Sequence, residues 1–93
     1  MTIITNFQIV ISDHYTNEWD GKTKFFYLEL TDFCIPSVGM MIRSDIPGLS
    51  YYDVFSVSFD GKIYHCRKAN VEFPTNPTVQ AQYLLDNGWV ERQ

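Results

Sequence analysis

His65 and Cys66 are neighbours in the run Tyr52-Asp53-Val54-Phe55-Ser56-Val57-Ser58-Phe59-Asp60-Gly61-Lys62-Ile63-Tyr64-His65-Cys66-Arg67-Lys68. An imidazole beside a thiol is the raw material of nucleophilic catalysis. This run, however, is rich in β-branched and aromatic residues and alternates as a strand does, which sends adjacent side chains to opposite faces. The two groups are therefore expected to be separated, with Cys66 packed as a small apolar side chain and His65 on an outer, polar face with Ser56, Ser58 and Arg67.

A second cluster with chemical potential is Asp13, His14, Asn17, Glu18 and Asp20. Oxygen-rich loops of this kind bind calcium when ligands recur at alternate positions around a central glycine. Here Asp13, Asn17 and Asp20 are spaced four and three apart, and Gly21 comes last, so a solvated loop is the expected reading. Two His and two Cys are present, but no pair has the spacing of a zinc finger. The chain has no Gly-rich phosphate loop, nucleophile elbow or paired metal-binding histidines. The expectation is a protein that is not an enzyme, with no catalytic residues, no metal and no cofactor.

Surface recognition is what remains. Tyr15 and Trp19 stand in the first long loop with Glu18 and Asp20, and Tyr51 and Tyr52 stand in a second loop. Aromatic side chains dominate interface energetics, so these six are the candidate contact residues for a protein partner. The acidity around them favours a basic partner, such as a protein that itself binds nucleic acid. A second reading is a single-stranded nucleic-acid binder, with Phe25 and Tyr27 as stacking surfaces and Lys24, Arg43, Arg67 and Lys68 as the surrounding cations. A third is a structural subunit that assembles through a sheet edge.

The elements that must position these residues are short. Residues 3–11 alternate, with Ile3, Thr5, Phe7, Ile9 and Ile11 on one face, as in a half-buried strand. Residues 12–23 form a polar connection, and a second strand over 24–31 puts Phe26, Leu28 and Leu30 inward and Phe25, Tyr27 and Glu29 outward. These two strands are expected to pair antiparallel. A bend at 32–39 leads to a short strand at 40–43, then to a loop at 44–51 containing Pro47-Gly48.

Asp60-Gly61 suits the turn of a tight hairpin, which would set Phe59 against Lys62, Val57 against Tyr64, Phe55 against Cys66 and Asp53 against Lys68. A three-residue loop with a glycine bulge is the rival register and would turn His65 to the other side. The fifth strand has room to run on through Val71 and Phe73. Asn76-Pro77 begins a helix, since Asn caps free amides and Pro is preorganised at the first position. Its apolar stripe is read as Val79, Tyr83 and Leu84, with Leu85 adjacent. Asn87-Gly88 ends the helix, Trp89 is placed to fold back on Leu84 or Leu85, and Val90-Glu91-Arg92 can pair with a strand end.

Composition bounds the whole. Ninety-three residues make one domain, and such a chain buries only about two-thirds of its unfolded surface. A 45% hydrophobic and 16% aromatic content answers that need. The net charge is −4, from eleven acids scattered among seven bases. That argues against broad attraction to nucleic acid or an anionic membrane, and the acids are too scattered to mimic nucleic acid. No stretch approaches the ~20 apolar residues of a membrane span, and the N-terminus lacks the marks of a leader peptide. With only Cys34 and Cys66, the expectation is a cytoplasmic protein with reduced thiols.

The element order β-β-β-β-β-α places the chain in the α+β class, as a small antiparallel sheet of about five strands with one C-terminal helix. Such a sheet can curl into an SH3- or OB-like barrel or stay open. The compact, aromatic-rich, motif-free character resembles that of phage-encoded accessory proteins that inhibit or redirect host machinery. The resemblance implies a small binding protein acting in the host cytoplasm by occupying a surface on its partner.

Overall fold

Thr5, Phe7, Ile9 and Ile11 are all buried, so the period-2 pattern of the first strand is realised with its expected face inward. In this computed structural model, which describes residues 3–14, 16–68 and 76–92, that strand is β1 (Ile4–Ser12). It pairs antiparallel with β2 (Thr23–Thr31), with Ile9 opposite Phe26 and Val10 opposite Phe25. Phe26 is buried, and Leu28 and Leu30 pack against the core. Phe25, Tyr27 and Glu29 point the other way, as the alternation requires.

The chain then leaves the sheet. A two-stranded ribbon, β3 (Met41–Ile42) with β4 (Tyr52–Asp53), brings Ile42, Leu49, Tyr52 and Val54 onto the inner face. The hairpin of β5 (Ser56–Phe59) and β6 (Ile63–Arg67) returns to the sheet, and β6 lies parallel to β1, with Phe7 opposite Cys66. The helix α1 (Pro77–Asp86) crosses the inner face, and β7 (Val90–Arg92) adds to the far edge, antiparallel to β2. The strand order is β5-β6-β1-β2-β7. No helix among the described residues is long and apolar enough to cross a membrane.

Two expectations are corrected here. The sheet is mixed rather than purely antiparallel, because the excursion over residues 32–55 brings the hairpin back with its second strand against β1. Nor does the sheet close into a barrel, since its edge strands β5 and β7 lie at opposite ends of the order. Closure would require those edges to pair. The helix and the β3-β4 ribbon instead occupy the side where a far wall would stand. The fold is α+β, with two layers around one core.

The hairpin register also differs. Val57 faces Cys66 and Phe59 faces Tyr64, so the loop residues are Gly61 and Lys62 rather than Asp60 and Gly61. Gly61, at φ +96°, takes the glycine-first position of a two-residue turn. Asp60 flanks it, its carboxylate accepting from the amides of Lys62 (2.9 Å) and Ile63 (2.8 Å). The pairing has moved by two positions along β6, and a shift of two preserves facing. Cys66 is buried and His65 points outward.

The helix keeps both predicted ends. The Asn76 side chain accepts from the amides of Thr78 and Val79, with Pro77 in the first turn. At the other end Gly88 donates to Leu85 and Trp89 to Leu84, the paired bonds of a Schellman stop. The apolar stripe is different from the one expected. Pro77, Ala81 and Leu84 are buried, while Val79 and Tyr83 are 60% and 51% exposed. The helix is rotated so that Leu84 meets Trp89 over Gly48.

At Gly48, φ is +87°, and an added Cβ would lie 2.9 Å from both Leu84 Cδ2 and Trp89 Nε1. At Gly39, φ is +86° with open space around it. Both positions carry the cost of a left-handed backbone for any other residue, but only Gly48 adds a collision. Gly48→Ala is expected to lower stability in urea melts by about 1–3 kcal/mol more than Gly39→Ala does. Equal losses would show that the close approach is not a constraint.

Candidate partner-binding face

The first long loop is organised by Asp13, which is buried although it is a carboxylate. Its Oδ1 accepts from the Thr16 hydroxyl and amide, and its Oδ2 from the Trp19 amide. Burial pushes the Asp13 carboxyl up, but these bonds, led by the Thr16 hydroxyl and joined by the Asn17 amide, outweigh it and leave it below its ordinary value. The Asp13 oxygens are thus directed at the loop's own amides and the Thr16 hydroxyl rather than outward.

From that loop Glu18 reaches the start of α1. Its carboxylate bonds the Asn76 side-chain amide and accepts from the Thr78 hydroxyl at 2.6 Å. A carboxylate is well placed at a helix N-terminus, where free amides and the macrodipole are positive. Trp19 packs against the core, donates its indole N–H to the Thr78 hydroxyl at 3.2 Å, and carries Lys24 Nζ 4.5 Å from its ring centre. Both expected contact residues therefore tie the loop to the helix. Tyr15 lies outside the described residues, as do Val71 and Phe73, and Asp20 is exposed.

The second loop divides its tyrosines. Tyr51 is 75% exposed, whereas Tyr52 is wholly buried, which removes it as a surface contact. The Tyr52 hydroxyl is shared between the carbonyls of Gln8 (2.8 Å) and Cys66 (3.1 Å), and burial pushes its ionisation up. Lys68 donates to the Tyr51 carbonyl at 2.7 Å and stands over the Tyr52 ring. The Trp89 indole donates to the Pro47 carbonyl at 2.8 Å. The two aromatic loops thus anchor to different elements: the start of α1 for one, and β6 with the end of α1 for the other.

His65 and Cys66 stand as alternation requires. The His65 Nε2 lies 3.1 Å from Asp60 Oδ2, and the amide of Ile63, with His65 and the Lys62 amide, holds the Asp60 carboxyl down at about 2. Burial pushes the Cys66 thiol up to about 11, with Cys34 adding to the effect, and burial also raises Cys34. Thiols raised in this way are poor nucleophiles near neutrality.

Opposite the core, the outer face of the sheet gathers side chains that the sequence had scattered. A shallow concavity there is floored by Gln8, Val10 and Ser12 of β1 and by Thr23, Phe25 and Tyr27 of β2. Arg67, Lys68 and Phe55 line one side, and Arg92 and His14 complete it. Register explains the grouping. Gln8 lies opposite Arg67 on one side and Tyr27 on the other, and Phe25 lies between Val10 and Arg92. The Gln8 side-chain amide donates to the Tyr27 hydroxyl at 2.8 Å, and the Arg92 guanidinium carbon stands 5.4 Å from the Tyr27 ring centre.

Of the residues expected to bind nucleic acid, Phe25, Tyr27, Arg67 and Lys68 come together here. Lys24 does not, because it points to the inner side and sits 3.9 Å from Glu91. Arg43 lies apart, in a polar depression with Ser44, Asp45, Ser50 and Tyr51. Arg92, Gln8 and Phe55 were missed as site residues. For Arg92 the signal was present in the short Val90-Glu91-Arg92 strand, whose pairing with β2 sets it beside Phe25. Comparison with protein-family models, curated proteins and solved structures finds no match to this chain.

The Asp13 carboxyl gives a pH prediction. A carboxyl held below its ordinary 3.8 in the folded chain stabilises the fold above that value and loses its contribution as pH falls through the lowered one. Asp60 acts in the same direction. Asp13→Asn places an amide where an acceptor is needed, so its melting temperature is expected to fall by several degrees near neutrality and to decline less than the wild type between pH 4 and pH 2. Parallel melting profiles for the two proteins across that window would contradict this.

Proposed function

We propose that this chain is a non-enzymatic binding protein whose working surface is the outer face of the five-stranded sheet, and that it takes an anionic partner there. One observation carries the reading. Among the described residues, Arg67, Lys68 and Arg92 line the concavity and no carboxylate does, in a chain with eleven acids to seven bases. The carboxylates Glu29 and Asp60 stand toward the other end of that face, where Asp60 is engaged with His65. Segregation of this sort gives a local field that opposes the net charge.

The reading moves the working surface away from the two loops. Of the six residues proposed to grip a basic partner there, Glu18, Trp19 and Tyr52 have side chains that serve contacts within the fold. Asp20 and Tyr51 remain exposed. Heparin and polylysine are the probes that separate the two surfaces. At low salt the protein is expected to bind heparin, and Arg67→Ala with Arg92→Ala is expected to weaken that binding by about tenfold. Lys62→Ala, at the hairpin tip, should leave it unchanged. Capture by polylysine that depends on Asp20 and Tyr51, with heparin ignored, would overturn the reading in favour of the loops.

A further inference from the structure

We infer that the ligand of this face is a single strand of nucleic acid, an inference that rests on the outer face being the working surface. The cations alone would accept any polyanion. The rings between them are more selective. Phe25 is 37% exposed on the middle of the face, and Tyr27 follows two residues later on the same strand, a rise of about 7 Å. Large apolar rings left in water amid cations fit a partner that carries flat apolar surfaces together with negative charge. Unstacked bases on a phosphate chain are that partner.

The strand order supplies the layout. Arg67 on β6 and Arg92 on β7 stand on either side of β1 and β2, with backbones about 14 Å apart at the usual strand spacing. A strand of nucleic acid crossing the sheet meets a cation, then the ring pair, then a second cation. Tyr27 is held in place by the Gln8 amide and carries the Arg92 guanidinium near its ring. That guanidinium can itself stack on a base. Of the two β2 rings, Phe25 is the one with no such contact among the described residues, so it is the principal stacking surface, with Phe55 a further exposed ring at the side.

A duplex fits less well. Its bases are stacked inside, and the face is a shallow concavity with no described element projecting from it to enter a groove. An acidic peptide would satisfy the cations but leave the rings without a role. The net charge of −4 works against long-range attraction, and Asp13, Glu18 and Glu91 stand on the inner side, engaged with the first loop, the start of α1 and Lys24. Binding is therefore short-ranged, and three cations give a salt slope of about −2 for a single strand.

The test is fluorescence anisotropy with a labelled twelve-nucleotide pyrimidine strand, its duplex, heparin and polyglutamate. The single strand is expected to bind more tightly than the other three, with the slope above. Phe25→Leu, which keeps apolar bulk on the strand, is expected to weaken the single strand about tenfold and leave heparin unchanged. Arg92→Ala is expected to reduce the salt slope by about 1. If heparin, duplex or polyglutamate binds as tightly as the strand and Phe25→Leu changes nothing, the inference is overturned while the anionic face stands. If none of the four binds at low salt, both fail.

Discussion

The buried hydroxyl of Tyr52 is shared between the carbonyls of Gln8 and Cys66, at the point where the parallel strands β1 and β6 part. Little local sequence holds those strands together, since nearly sixty residues separate Ile4 from its partner Ile63. Paying for that closure takes burial as well as the ladder of backbone bonds. The ring that brings the hydroxyl in also packs edge-on against Phe7, at 5.3 Å between centroids. One side chain thus joins the ribbon, the central strand and the returning hairpin. The parallel pairing in turn puts Arg67 beside Gln8, and the outer face takes its composition from that adjacency.

The two sides of the sheet are built by the same alternation toward different ends. On the inner face Phe7, Ile9, Ile11 and Phe26 meet Leu84, Trp89 and Leu49. On the outer face the intervening residues are a mixture of polar, aromatic, aliphatic and charged side chains, with Gln8, Val10, Phe25, Tyr27, Arg67 and Arg92 together, and no described helix or strand is stacked on them. The first loop is fastened by Glu18 to the beginning of α1, and α1 is stopped so that Trp89 folds onto Gly48. These anchors position the helix on the inner side, away from the outer face.

What could be read from the sequence was whatever depends on near neighbours. The alternation of residues 3–11 and 24–31, the Asn76-Pro77 cap and the Asn87-Gly88 stop each act within a few residues, and each is present. The parallel β1-β6 pair was not legible because pairing partners distant in sequence leave no local periodicity. The hairpin loop slipped by one because Asp60 and Lys62 both suit positions beside Gly61; facing survived because the pairing moved by two. Val79 and Tyr83 were read inward because apolar residues at helical spacing look alike whichever face is buried. Glu18 and Trp19 looked like contact residues because their partners at Thr78 lie about sixty residues away. Arg92 required knowing which strand β7 would join.

The central claim is that the outer face, and not the loops, is where this protein meets its ligand. The most direct measurement is a set of amide correlation spectra recorded while a short single strand of nucleic acid is added. The account predicts shifts concentrated at Gln8, Val10, Phe25, Tyr27, Arg67 and Arg92, with Leu84 and Thr78 unmoved. Shifts gathered instead at Glu18, Asp20 and Tyr51, with the β2 amides silent, would contradict it.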